Sequence, residues 1–292
     1  MQVQTATGCN ADCVFCPYGA TAAAAPRGRM SWELYETLLE ECASHPVRRI
    51  SPYLMNEPLL DPEIWDRVRL AKRIVPGARV TLTTNGSLLD ETAVERIMAL
   101  DGTLHELTVS VQGIEPRGYA EAMGGRLELG RCVENVLRLA GALRRARARR
   151  PALTVTMVAT GSMEAGSAVS FWRERGVAAR MTRLDNQGGL VAVGEGLCTG
   201  AMVPNEPCPR PHKQAYVTFD GEVVVCCADY RRSVVLGNIQ RSSLSEIWNG
   251  PLAVSVRRAH IDRDRAAMPA LCRECRIDSG GVVLRTEVWR HV

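Results

Sequence analysis

Three cysteines stand together near the start of the chain, Cys9, Cys13 and Cys16, spaced C-x3-C-x2-C. Three thiolates this close can hold three irons of a 4Fe–4S cube and leave the fourth iron open for a chelating cofactor. The same residues could instead be a zinc site short of one ligand, or buried cysteines without metal. A second group, Cys208, Cys226, Cys272 and Cys275, is spaced C-x17-C-x45-C-x2-C. Four thiolates saturate either a 4Fe–4S cluster or a tetrahedral zinc. Cys227 follows Cys226 directly and is spare. If that segment is extended, the two side chains point to opposite sides, so one can hold a metal group while the other faces a cavity. The plainer alternative is that Cys227 is a small buried hydrophobe. Cys198 is a second spare thiol, and Cys42 and Cys132 fall in helical patterns and belong to the core.

The setting of these thiols narrows their chemistry. Eleven cysteines occur in a chain whose first residues lack the basic and apolar regions of a signal peptide. That points to the cytoplasm, where clustered cysteines serve metal or redox chemistry rather than disulfides. No apolar run is long enough to span a membrane. A formal charge of +4 over 292 residues demands no nucleic-acid partner, and the arginines from Arg144 to Arg150 read as a solvated helix end.

Positioning falls to an alternation of short β-rich runs and amphipathic segments. Strands are predicted over residues 2–7, 49–54, 79–84, 106–112, 153–159 and 178–184. Helical patterns fill 32–43, 62–74, 91–100, 130–147 and 164–175. Six strand–helix repeats imply parallel strands with right-handed crossovers, too few for a closed eight-fold barrel. The fold class is therefore α/β, a partial (β/α)6 barrel over residues 1–186, followed by a small Cys-rich domain over 187–292. In such barrels the reacting groups gather at the C-terminal ends of the strands. Asn56-Glu57-Pro58 follows the second strand and Thr84-Asn85-Gly86 ends the third, on the same rim as the first cysteine loop. Residues 188–211, rich in Gly and Pro, read as a linker or lid. A hairpin across Asp220-Gly221 joins strands over 215–219 and 222–225, and short helices are expected near 244–248 and 252–261.

The cysteine spacing, the aromatic Phe15 before Cys16, and Asn56-Glu57-Pro58 in place of a Gly-Glu-Pro-like segment resemble the radical S-adenosylmethionine superfamily. The second cysteine group, with Phe219-Asp220-Gly221-Glu222-Val223 ahead of Cys226 and Leu236-Gly237-Asn238-Ile239 after it, resembles a SPASM/Twitch auxiliary-cluster domain. The resemblance implies S-adenosylmethionine and two 4Fe–4S clusters. Cys9, Cys13 and Cys16 would ligate one, and Cys208, Cys226, Cys272 and Cys275 the other. Phe15 would pack beside the cofactor, while Asn56 and Glu57, with Thr84 and Asn85 on the next strand end, would surround its methionine amine. Ser110 and Gln112 would reach the ribose or carboxylate. A reduced cluster would cleave the sulfonium to a 5′-deoxyadenosyl radical, with a flavodoxin or ferredoxin as electron donor.

The resemblance extends to radical epimerases of neomycin-type aminoglycosides, in which a cysteine such as Cys227 returns hydrogen to the opposite face of a substrate radical. Epimerisation of an aminoglycoside or related sugar is therefore the expected reaction. Acidic side chains near the expected mouth, Asp185, Glu195, Glu206 and Asp229, could hold such a polycation. One alternative resembles 2-deoxy-scyllo-inosamine dehydrogenase, whose Arg-Gly-Gly segment appears here as Gln187-Gly188-Gly189. Another is L-to-D modification of a peptide. A zinc-braced binding protein is the non-enzymatic alternative, separable by metal analysis.

Overall fold

A computed structural model describes residues 1–161, 165–194 and 197–280. The first two thirds carry strands β1 (Gln2–Val3), β2 (Arg49–Ile50), β3 (Arg79–Thr84), β4 (Leu104–Ser110), β5 (Ala152–Val158) and β6 (Ala178–Thr182). The helices between them are α1 (Tyr18–Thr21), α2 (Trp32–Ala43), α3 (Ile64–Ile74), α4 (Glu91–Met98), α5 (Pro116–Met123), α6 (Leu129–Arg145) and α7 (Ala165–Glu174). Ser31 caps α2 and Asp90 caps α4 through their side chains, which satisfies backbone donors at the first turn. β2 to β6 form one parallel sheet in chain order, the partial-barrel core of a mixed α/β fold.

Side-chain alternation gives this sheet two unlike faces. Val80, Leu82, Leu107, Val109, Val155, Met157, Ala179 and Met181 are buried, and they join helix residues such as Leu38, Val68, Val136 and Trp172 in the main core. The other face carries Thr81, Thr83, Thr108, Ser110, Thr154 and Thr156, with charged Arg79, Glu106 and Arg180. Strand register lines these up. Thr83 lies opposite Thr108, Thr108 opposite Thr154, and Ser110 opposite Thr156.

The first strand departs from the expectation of a run over residues 2–7. β1 is two residues long, and a single bridge, Gln2 to Ser51, joins it to β2. Its ladder partner is β8 (Tyr216–Val217) of the C-terminal region. The chain then turns into the cysteine loop, where Gly8 takes a φ of +122°. β1 thus stitches the barrel sheet to the smaller one.

The C-terminal region holds β7 (Met202–Pro204), α8 (Arg210–Lys213), β8, β9 (Glu222–Val224), β10 (Val235–Asn238), α9 (Leu244–Asn249), α10 (Pro251–Asp262), α11 (Ala270–Glu274) and β11 (Arg276–Asp278). β8 and β9 make the expected hairpin, with Gly221 at φ +84° in its turn. The supposed linker contains β7, which pairs antiparallel with β11, so that stretch is built into the domain. Val217, Val223, Ile239, Leu244 and Ile247 belong to the main core, and the small domain is packed onto the barrel. Glu164 and the residues after 280, placed in predicted segments, lie outside the described residues.

Candidate active site

The first cysteine loop is held from two sides. Asp12 N–H donates to Met123 O at 3.2 Å and Val14 N–H to Ala122 O at 3.1 Å, docking the loop on the end of α5. Gly124, at φ +76°, makes that approach possible, because a Cβ there would stand 2.1 Å from the carbonyl oxygen of Asp12. On the other side Glu57 N–H donates to Gly8 O at 2.8 Å. Cys9, Cys13 and Cys16 are all half-buried and free of disulfides, with Phe15 half-buried beside Cys16. Burial pushes Cys9 up to about 11 and also raises Cys13 and Cys16. Repulsion between neighbouring thiolates adds to the shift of Cys9 and Cys13. A bound cation reverses this balance, since metal ligation favours the thiolate.

Glu57 is the keystone of the rim. Its buried carboxylate accepts from Thr84 Oγ1 at 2.6 Å, Asn85 N–H at 2.8 Å and Leu59 N–H at 3.1 Å. Burial pushes its pKa up, against the pull of those three donors. Asn85 continues the chain of contacts, donating through Nδ2 to Asn10 Oδ1 at 2.8 Å, while Asn10 donates to Ser87 Oγ at 2.9 Å. Thus Glu57, Thr84 and Asn85, expected to touch the cofactor, have their side chains engaged with one another and with the cysteine loop. They position the site. Asn56 differs, because its Nδ2 is buried with no partner and can serve a ligand. Gln112 is also a brace: its Oε1 accepts from Val158 N–H at 2.7 Å and its Nε2 donates to Ser110 Oγ at 2.7 Å. The half-exposed Ser110 hydroxyl keeps its own proton to donate. Asn10 and Ser87 were missed in the sequence, where nothing but adjacency to Cys9 and Asn85 marks them.

The second group comes from three stretches of the chain. Cys208 precedes α8, Cys226 follows β9, and Cys272 and Cys275 sit on and after α11. Asn205 Nδ2 lies 3.8 Å from Cys208 Sγ and 3.7 Å from Cys275 Sγ, and Arg210 Nη1 lies 3.8 Å from Cys226 Sγ. Burial first, then the charges of Cys226, Cys208 and Cys275, push Cys272 up to about 12. Gln187-Gly188-Gly189 packs against the same helix. A Cβ on Gly188, at φ +67°, would meet Leu271 Cδ1 at 2.0 Å. Among the described residues, no three His, Cys, Asp or Glu side chains converge closely enough for one metal ion. Four cysteine thiols form a donor set that can saturate a 4Fe–4S cube, and Asn205 and Arg210 offer N–H donors to three of the sulfurs.

A radical SAM superfamily profile matches residues 3–161, more than half of the chain, including the cysteine loop and both braced strand ends. The chain belongs to the radical SAM superfamily. The profile of SPASM, an iron–sulfur cluster-binding domain, matches residues 208–276. The chain is similar to the S-adenosyl-L-methionine-dependent 2-deoxy-scyllo-inosamine dehydrogenase of Niallia circulans, at 25% identity over 276 residues, 94% of this chain and 91% of that protein. A stretch of 108 residues is 33% identical to the AdoMet-dependent heme synthase of Methanosarcina barkeri, covering 36% of this chain and 29% of the synthase. Among solved structures, BtrN in complex with AdoMet and 2-DOIA superposes with a TM-score of 0.67 at 24% identity, over 94% of this chain and 91% of that one. anSMEcpe with bound AdoMet gives 0.66 at 15% identity, over 93% and 87%. These two structures speak for the fold. As a radical SAM enzyme with a SPASM domain, the protein uses S-adenosylmethionine and iron–sulfur chemistry.

Cys227 is placed differently from expectation. β9 ends at Val224 and the chain turns, with Asp229 N–H donating to Cys226 O at 3.1 Å, so Cys226 and Cys227 are not on opposite faces of a strand. The two thiols are neighbours. Cys226 is held down first by its hydrogen bond with Cys227 and further by Arg210, while Cys227 is pushed up by that partner and by burial. Cys227 still reaches the barrel. It packs against the cluster of Leu54, Met55, Tyr216 and Val224 together with Tyr230, whose hydroxyl lies 3.5 Å from Cys16 Sγ. Cys198 instead donates to Gly200 O at 2.6 Å in the loop beside Asp278. Cys42 and Cys132 are fully buried.

The acidic residues expected to hold a polycation are engaged. Asp185 pairs with Arg210 at 3.1 Å and Glu206 pairs with Arg265. Asp229 is buried, accepting from Ser233 N–H, Ser233 Oγ and Val234 N–H. Glu195 lies outside the described residues. Among the described residues no helix is long and apolar enough to cross a membrane.

Proposed function

We propose that this radical SAM enzyme acts on a small cyclitol or amino sugar and oxidises one carbinol carbon to a ketone. The observation that carries the substrate reading is the hydroxyl-lined sheet face, Thr83, Thr108 and Thr154 in one row and Ser110 and Thr156 in the next. Such a face offers donors and acceptors to a polyol and little to an extended apolar ligand. The likeness to a dehydrogenase of near-equal length along 94% of the chain supports oxidation over the expected epimerisation.

In this reading Cys9, Cys13 and Cys16 hold one 4Fe–4S cluster, and Cys208, Cys226, Cys272 and Cys275 hold a second. The cofactor, once bound, would supply a radical that takes one hydrogen atom from the carbinol carbon, while the second cluster would accept the electron left on that carbon and the hydroxyl proton would leave to solvent. Asn56 Nδ2 and the Ser110 hydroxyl are the side chains open to it, with Phe15 packing nearby, while Glu57, Thr84, Asn85 and Gln112 fix their positions. The SPASM domain starts near residue 187, and the electron donor is a flavodoxin or ferredoxin. Turnover with 2-deoxy-scyllo-inosamine deuterated at the carbinol carbon tests this, the prediction being deuterium in the 5′-deoxyadenosine formed. Deoxyadenosine formation that does not depend on the substrate would contradict it.

One observation favours a second reading. Cys227 is largely buried and packs, like Tyr230, against Leu54, Met55 and Tyr216, and the Tyr230 hydroxyl reaches Cys16. A thiol there could return hydrogen to a substrate carbon and complete an epimerisation. The outcome with Cys227→Ala separates the two.

A further inference from the structure

The polar sheet face continues into a cavity of about 950 Å³ between the N-terminal ends of β1 to β3 and the segment of α8 and α9. Ser51, Tyr53 and Thr81 line its inner part, so it is continuous with the hydroxyl rows. Its outer part is basic: Arg48, Arg49, Arg79 and Lys213 line it, with no Asp or Glu among the lining residues. Arg49 and Arg79 lie directly opposite one another on adjacent parallel strands, an arrangement in which like charges repel. A single carboxylate, Glu106, serves both, at 3.6 Å from Arg49 and in contact with Arg79. Among the described residues Arg48 and Lys213 have no carboxylate partner within ion-pair distance. Four cations against one carboxylate leave a concave surface strongly positive, and low-dielectric walls focus that field.

We propose that the basic end of this cavity seats a phosphoryl group carried by the substrate, so that the substrate class is a phosphorylated cyclitol or sugar. The inference rests on the reading that the hydroxyl face holds the substrate's polyol part. A phosphate monoester, at roughly −1.5 to −2 charge, matches the uncompensated charge better than one carboxylate does. Guanidinium groups pair with it through two parallel N–H bonds. Ser51 and Thr81, two residues past Arg49 and Arg79, share a hydrogen bond at 2.8 Å, so hydroxyl groups begin just beyond the arginine pair. The Tyr53 and Thr83 hydroxyls share a hydrogen bond at 2.7 Å, which joins the cavity to the first hydroxyl row.

The test is anaerobic calorimetric titration of the cluster-reconstituted enzyme with myo-inositol 1-phosphate, myo-inositol and inorganic phosphate. The phosphate ester should bind at least about tenfold tighter than myo-inositol, with an advantage that shrinks as salt is raised. Arg48→Ala and Lys213→Ala, both at exposed positions, should each remove most of that advantage without changing affinity for myo-inositol. Equal binding of ester and parent polyol would overturn the proposal. So would inorganic phosphate binding as tightly as the ester, since the site would then take a free anion. Tight ester binding with no oxidation of any polyol leaves the anion seat standing and removes the dehydrogenase reading.

Discussion

The hydroxyl of Tyr230 lies 3.5 Å from the sulfur of Cys16, joining the domain of the second cysteine group to the loop of the first. Tyr230 is delivered there by a turn that begins at Cys226 and is fixed by buried Asp229, which accepts three hydrogen bonds from Ser233 and Val234. A hydrogen bond to a ligand sulfur stabilises the more negative, reduced cluster and so raises its potential. Tyr230→Phe removes the donor. An EPR-monitored redox titration should show the first cluster's midpoint falling by tens of millivolts, roughly, with both clusters still assembled. An unchanged midpoint would leave Tyr230 a packing residue.

Gly188 marks how the second group is supported. Its φ of +67° disfavours any side chain, and a Cβ would crowd Leu271 Cδ1 at 2.0 Å, its Cγ at 3.0 Å and its carbonyl oxygen at 3.3 Å. Gly188→Ala should displace α11 and with it Cys272 and Cys275. Reconstituted iron is then expected to drop from about eight per chain to about four, while the first cluster and its EPR signal persist. Full iron content would show that α11 can shift without losing the ligands.

Glu57 should behave as a brace. In Glu57→Gln an amide N–H₂ must face a donor that the carboxylate accepted from, leaving a buried group unsatisfied. The expected cost is about 1–3 kcal/mol of stability, seen in denaturant melts. S-adenosylmethionine affinity should fall with it, because this carboxylate fixes Thr84 and Asn85, and the Asn85 side chain in turn holds Asn10 of the cysteine loop. Wild-type stability in the variant would contradict the assignment.

Cys227→Ala distinguishes the two reactions. In a dehydrogenase the variant keeps forming ketone at a rate within a few-fold of wild type. In an epimerase it still consumes S-adenosylmethionine and abstracts hydrogen, but no inverted product appears. Product analysis by chromatography and mass spectrometry decides.

Much of this was legible in the sequence because the signals are local. The alternation in Arg79–Thr84, the period of Trp32–Ala43 and the turn at Gly221 each specify their own element. The cysteine groups were legible because thiols are scarce and their spacing is chemical. What escaped depends on distant partners. β1 reads as a barrel strand, yet its ladder lies with Tyr216–Val217, more than two hundred residues on. β7 and β11 are three residues each and exist through pairing with one another. The bracing bonds of the Glu57 and Gln112 side chains were not legible, because polar strand ends look alike in sequence and their partners lie on other elements. Opposite faces for Cys226 and Cys227 required an extended segment, and Asp229 closes a turn there instead.

The central claim is oxidation at a carbinol carbon, and turnover in heavy water tests it most directly. The reconstituted enzyme is supplied anaerobically with S-adenosylmethionine, a reductant and 2-deoxy-scyllo-inosamine, and the product mass is measured. Oxidation gives a product lighter by two hydrogens, with no solvent deuterium fixed at the reacting carbon. An isomer of the substrate carrying one carbon-bound deuterium would contradict it and establish epimerisation through an exchangeable donor.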